Sequence, residues 1–334
     1  MTSEGAYRDR GVRLRLFGLL TILAGIGAVL LGLSHFALPL LADSIPDFRI
    51  TASQIATGVI TFVAIGVVLV ACGTGSIRER RWVRPAMLTV GWTWLFVGLA
   101  TLGFVVTNLD DLTILAGSEL ADQPPEIETL IRWILLLPCA GFGIVMPLLI
   151  LWAYNHKDVL ATCRARHPDP DWSDRCPSTV LVLALALGFA GLLSLPMALR
   201  PLLPWFGDLR TGVAGSALTL LSGAGFVWIG WALFRLKPSA WWATGISTIL
   251  VAASTVWTLL ETPRAAWYRA LDYPERQIEL LLTSGEPPKW PGIVATLVLT
   301  FVTLVYLASI RKHFRKGVRS HVSTSSSRQP KPPK

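Results

Sequence analysis

The chain has 334 residues, of which 52% are hydrophobic and only 15% charged, with a formal net charge of +9 and a mean hydropathy of +0.54. Soluble globular chains carry about 25% charged residues. The shortfall excludes a disordered protein, a nucleic-acid-binding module and an ordinary soluble enzyme, because the apolar residues outnumber the core positions that a water-soluble chain of this size offers.

A bilayer core about 30 Å thick needs about 20 apolar residues per spanning helix. Eight runs meet that requirement: Arg13 to Phe36, Ser53 to Ile77, Pro85 to Asn108, Ile131 to Tyr154, Thr179 to Leu202, Thr211 to Leu236, Ser239 to Leu260 and Pro291 to Ile310. Runs such as LVLALALGFAGLLSL are apolar on every face, whereas barrel strands alternate in segments of about 10 residues. The fold class is therefore all-α, a polytopic transmembrane helical bundle of about eight helices. The first run is too long for the hydrophobic region of a signal peptide and no small-residue cleavage site follows, so it reads as the first span.

Lys and Arg are retained on the cytoplasmic side of a membrane. With both termini inside, that side holds 22 Lys and Arg against 7 Asp and Glu, and the other side 8 against 14. The basicity is thus a topology signal and a draw for anionic lipid, not a sign of nucleic acid. In this arrangement Cys72 and Cys139 lie within spans and Cys163 and Cys176 in a cytoplasmic loop, so no external disulfide is expected.

The chain reads as two pseudo-repeated four-helix halves, 1–155 and 179–310, joined by a cytoplasmic loop at 156–178 and followed by a basic, disordered tail at 311–334. Gly66 and Gly73 precede Arg78 at the spacings by which Gly223 and Gly230 precede Arg235. Small residues recur at every fourth position in the first span of each half, Ala24, Ala28 and Gly32 in one and Ala186, Ala190, Ser194 and Ala198 in the other, a candidate helix-packing stripe.

Charged residues are absent from the middle of every span, which argues against a buried proton relay. Pro138 and Pro147 interrupt the fourth span and Pro196 the fifth, read as packing kinks. Trp82, Trp133, Trp152, Trp205, Trp241, Trp242 and Trp290 fall near span ends as interfacial anchors, while the deeper Trp92, Trp94, Trp228, Trp231 and Trp257 are expected in the helix-packing core. From Pro274, Ile278, Leu281 and Leu282 share one helical face and Glu275, Arg276 and Glu279 the other, an amphipathic helix at the outer interface. The acidic loop at 109–130 lacks calcium-loop spacing.

The cytoplasmic loop HKDVLATCRARHPDPDWSDRCPST is the most distinctive stretch, and Cys163, His167, Trp172, Asp174, Arg175 and Cys176 form a candidate interaction loop. Cys163, His167 and Cys176, with His156 as a fourth, are of metal-ligating type, but CxxC-like pairs are absent and no metal or cofactor is expected. Asp174 is placed to pair with a basic residue of the RERRWVR turn, and Ser178 to cap the fifth span. Trp172 is expected to dock on the membrane surface or on the ends of the fourth and fifth helices, and to matter more to the junction than either cysteine.

The strings ATCRARHPDPDWSDRCP, GSIRERRW and DYPERQIE resemble an uncharacterised family of bacterial multi-span integral membrane proteins with no assigned activity. The resemblance implies a bacterial cytoplasmic-membrane location and supplies no substrate, cofactor or catalytic residue. No nucleophile, base and orienting group fall at one depth, so no enzyme is expected. The reading is a non-enzymatic membrane protein that engages membrane lipid or a protein partner through its loops; the alternative is a passive or facilitated carrier for a neutral solute.

Overall fold

A computed structural model describes residues 8–42, 50–107, 109, 125–283 and 289–325. Most of the acidic 109–130 loop and residues 326–334 lie outside the described residues. Eight helices are long and apolar enough to cross a membrane: Gly11–Leu40, Ala52–Ile77, Val83–Gly103, Arg132–Tyr154, Ser178–Met197, Gly212–Phe234, Pro238–Glu261 and Trp290–Phe314. They are called the first to eighth spans below. At most 33% of the most apolar stretch of any span is buried inside the molecule. The remaining surface carries leucines, valines and phenylalanines, far more contiguous apolar area than a water-facing monomer exposes. Lipid is the solvent that such a surface requires.

Two spans are irregular where proline removes a backbone donor. The fourth consists of Pro125–Ala140, a π-helical turn Gly141–Val145 and Met146–Tyr154, so the wide turn falls between Pro138 and Pro147. Its Gly143 carbonyl faces Gly98 of the third span so closely that a Cβ at position 98 has no room. The fifth span ends at Met197, five residues short of the expected Leu202. Its Pro196 carbonyl accepts a hydrogen bond from Thr57 Oγ1 of the second span at 3.2 Å. The last helix continues through Ser325, correcting the disordered assignment over 311–325. A helix already nucleated by a span extends at little cost per residue, and the next proline comes only at Pro330.

Packing follows a duplicated plan. The first span lies along the second and the fifth along the sixth, while the third pairs with the fourth and the seventh with the eighth. The halves meet where the third span touches the fifth and eighth and the second touches the fifth. In the first half Gly18 and Gly25 oppose Gly73 and Gly66: a Cβ on Gly25 would sit 2.9 Å from the Gly66 carbonyl, and one on Gly18 2.8 Å from that of Gly73. In the second half a Cβ on Gly191 would sit 2.6 Å from the Gly223 carbonyl, and one on Gly230 2.7 Å from that of Ala184. The seam therefore repeats every seven residues. Of the small residues spaced by four, Gly32 is buried and Ser194 abuts Gly223, Ala24, Ala28 and Ala186 are half-buried, and Ala190 is exposed.

The turns after the second and sixth spans also coincide. Glu79 and Leu236 both take left-handed φ, 54° in each, 157 positions apart (236 less 79). Arg80 N–H donates to Gly75 O and Glu79 N–H to Ser76 O, as Lys237 N–H does to Ala232 O and Leu236 N–H to Leu233 O. This is the paired Schellman closure of a helix C-terminus, usually made by glycine.

At the opposite end, Leu203–Trp205 and Asp208–Arg210 form an antiparallel hairpin, β1 and β2, that the sequence reading lacks. Phe206 and Gly207 both have positive φ, the two-residue turn whose twist suits a hairpin. Hydroxyls one turn apart on the seventh span hold it: Ser254 Oγ accepts from Phe206 N and donates to Pro204 O, Thr258 Oγ1 accepts from Gly207 N, and Thr262 Oγ1 donates to Gly207 O. Beyond it run Arg264–Ala270 and the amphipathic helix Glu275–Thr283, whose Ile278 and Leu281 are buried. The deep tryptophans are a correction. Trp92, Trp228, Trp231 and Trp257 lie exposed on the apolar exterior, and Trp94 alone of the five packs against a buried cluster. In lipid an aromatic gains nothing by leaving the surface, so depth does not imply core.

The seam predicts a contrast within one helix. Gly25→Val forces a side chain against Gly66 and Val70, whereas Gly27 has nothing within 4 Å of its Cβ position. Gly25→Val should cost about 1–3 kcal/mol and Gly27→Val far less, read as thermal midpoints of the full chain in detergent.

Candidate functional site at the basic end

The N-terminal segment, the turn after the second span, the 155–178 connection and the start of the third span converge at one end of the bundle. Its first layer ties spans together. Ser76 Oγ donates to Leu14 O at 2.9 Å and pairs with Tyr154 Oη at 2.5 Å, joining the first, second and fourth spans. Arginines then satisfy the carbonyls left open at the C-terminus of the fourth span. Arg13 donates to Trp152 O with its guanidinium 3.6 Å from the indole centroid, and Arg84 donates to Tyr154 O and Asn155 O.

The second layer centres on Glu79, 4% exposed. Its carboxylate receives Arg15 from the first span at 3.0 Å and Arg166 from the connection at 3.2 Å. A non-glycine residue in left-handed φ costs about 1–2 kcal/mol, and the two charge-assisted pairs offset it. Arg10 N–H donates to Thr162 Oγ1 and its guanidinium lies 3.8 Å from Asp158, so the helix Lys157–Arg166 is held from both sides.

The third layer is one guanidinium. Arg81 donates through Nε to His167 O at 2.6 Å, through Nη2 to Pro168 O at 2.6 Å and through Nη1 to Asp174 Oδ2 at 2.8 Å. His167-Pro168-Asp169-Pro170 is non-helical, as X-Pro sterics demand, and its carbonyls are free for that use. His167 Nε2 donates to Arg78 O. Asp171 caps the short turn Trp172–Arg175, with Asp174 accepting back from Asp171 N. That N–H first, then Arg81, holds the Asp174 carboxyl below its ordinary value. Its contribution is present above the ordinary carboxylate range and is lost only as pH falls through the depressed value.

The candidate loop residues divide. Asp174 is the anchor on the turn. Trp172 is 41% exposed and meets Phe234 at the end of the sixth span at 6.2 Å, while its short turn lies against the fifth span. Cys163 and Cys176 are 1% and 5% exposed, and they belong to separate buried clusters, one in each half. Burial, and Glu79 for Cys163, raises both thiols to about 11. Burial runs in the opposite order to the expected ranking of Trp172 above the cysteines: both thiols fill core and the indole is half in solvent. Pro177 occupies the cap position of the fifth span without a side-chain bond, and Ser178 is its first helical residue. Arg175 is exposed. Among the described residues no group of three His, Cys, Asp or Glu is placed to hold a metal.

Glu79, Arg81, Ser76 and Tyr154 carry this site; of these the sequence points only to Arg81, as one of the basic residues of the RERRWVR turn open to Asp174. The one signal for Glu79 was an acid among four arginines in RERRWVR.

The molecule is a helical multi-pass membrane protein, with eight apolar helices and a polar clasp at one end. No protein family, curated protein or solved structure matches the chain.

The clasp predicts a labelling pattern. Thiolate is the reactive species, so thiols raised to about 11 react slowly at pH 7.5. Asp174→Asn removes the Arg81 anchor and should speed maleimide labelling of Cys176 at least 10-fold, with Cys72, buried within the second span, unchanged.

Proposed function

We propose that this chain is a non-enzymatic protein of a bacterial cytoplasmic membrane, with both termini cytoplasmic, that engages anionic lipid through its basic end. The observation that carries the reading is the clasp itself: Arg13, Arg15, Arg81 and Arg84 are fixed where the first and third spans begin. Each basic residue near an anionic surface contributes about 1 kcal/mol, and fixing the arginines removes the entropy cost of ordering them on binding. A partner protein that reads the same end would compete with lipid for it.

The alternative, a passive carrier for a neutral solute, is supported by the π-helical turn between Pro138 and Pro147, where broken helical bonding provides carbonyls inside a span.

In nanodiscs of phosphatidylcholine alone and with added phosphatidylglycerol, the full chain should unfold several degrees higher in the anionic discs at low salt, and the gain should shrink at 0.5 M salt. Equal midpoints in both discs would remove the lipid reading. Selective flux of a neutral solute through reconstituted vesicles would install the carrier instead. A phosphatase reporter that is active after residue 165 would reverse the orientation.

A further inference from the structure

Between the halves at the basic end lies a cavity of about 330 Å³, lined by Arg81, Arg84, Arg164, Arg175, Asp174 and Ser178 among others. Its size is within the range of small-molecule sites, about 300–1,000 Å³. Four guanidiniums face one carboxylate, and that carboxylate is already committed to Arg81 and the Asp171 N–H. Arg81 uses all three of its nitrogens in the clasp, and Arg84 spends two on the fourth-span carbonyls. Arg164 has only a 4.0 Å approach to Asp174, and Arg175 makes no hydrogen bond or ion pair among the described residues. The cavity therefore carries uncompensated positive charge and uncommitted forked donors.

We infer that this cavity binds a phosphate group, with Arg164 and Arg175 supplying the direct contacts and Arg84 the fixed charge behind them. This deepens the lipid reading above and rests on it. Guanidinium forks match phosphate oxygens two at a time, which a single ammonium does not. The fifth span begins at the cavity wall without a side-chain cap, so its positive dipole end adds to the arginines. Both the third and fifth spans start here, at Val83 and Ser178, so the cavity sits at the level of two span ends, where a phospholipid would present its phosphate. A free phosphate presents the same oxygens. The walls come from the first half, the connection and Ser178 at the start of the fifth span, so an occupant would tie the third span to the connection and the head of the fifth.

Arg164→Gln with Arg175→Gln tests the site, because both residues are exposed and neither holds the clasp. Arg269→Gln with Arg276→Gln at the opposite end is the control. The full chain in neutral detergent is titrated with phosphatidic acid, with phosphatidylcholine for comparison, by native mass spectrometry, and dialysed to equilibrium against labelled inorganic phosphate. The expected result is one tight phosphatidic acid per chain, weakened at least 10-fold in the cavity variant and unchanged in the control. Inorganic phosphate bound by the wild type and lost in the cavity variant, without lipid binding, would assign the site to free phosphate. Phosphatidic acid bound equally by wild type and cavity variant would overturn the cavity and leave the lipid-facing basic end standing. Neither probe bound by the wild type would overturn both.

Discussion

Helices in a bilayer gain no hydrophobic energy by touching, since lipid tails solvate leucine as well as a neighbouring helix does. Contact must come from backbones brought close, and the rest of this structure depends on the two seams where that happens. Gly25 and Gly66 in one half, and Gly191 and Gly223 in the other, let carbonyls sit where a methyl group would collide. Once each pair is zipped, the ends of its helices are fixed relative to one another. The left-handed turns at Glu79 and Leu236 then project the third and seventh spans in equivalent directions. Leucines on the outside set depth but not arrangement.

On that frame the basic end is assembled by charge rather than by apolar burial. Glu79 draws an arginine from the first span and another from the connection, and Arg81 draws in the connection's backbone. The two residues are adjacent but for Arg80, on one short turn. A carboxylate shielded from water is costly unless paired, and here the pairing comes from segments far apart in sequence, so docking of the connection supplies the second of its two partners.

The spans were legible because apolar length is set by bilayer thickness, and their edges were placed to within a few residues except where proline and a turn shortened the fifth. The pairing of Asp174 with the basic turn was legible as charge complementarity across a short loop. Three features were not. The hairpin LPWFGDLR has strands of three residues and a Phe at a position that normally asks for Asn or Gly, so neither strand nor turn signal rises. The deep tryptophans were misjudged because burial rules derived for water invert in lipid. Glu79 was invisible because its partners, Arg15 and Arg166, lie 64 and 87 positions away, a relation no local pattern encodes.

The hairpin also separates the two halves in a way their helices do not. Where the first half continues helically through Ala42, the second turns back as Leu203–Arg210. Its turn N–H groups and the Pro204 carbonyl are partnered by serine and threonine on the seventh span, so these groups need no water. A molecule with two equivalent halves would offer two equivalent faces at this end, and anything that bound one would bind both. By filling the link between the fifth and sixth spans with a strand pair, the chain becomes polar in the geometrical sense: it has a distinguishable left and right in the membrane plane, and a neighbour recognising the hairpin end would do so in a single orientation.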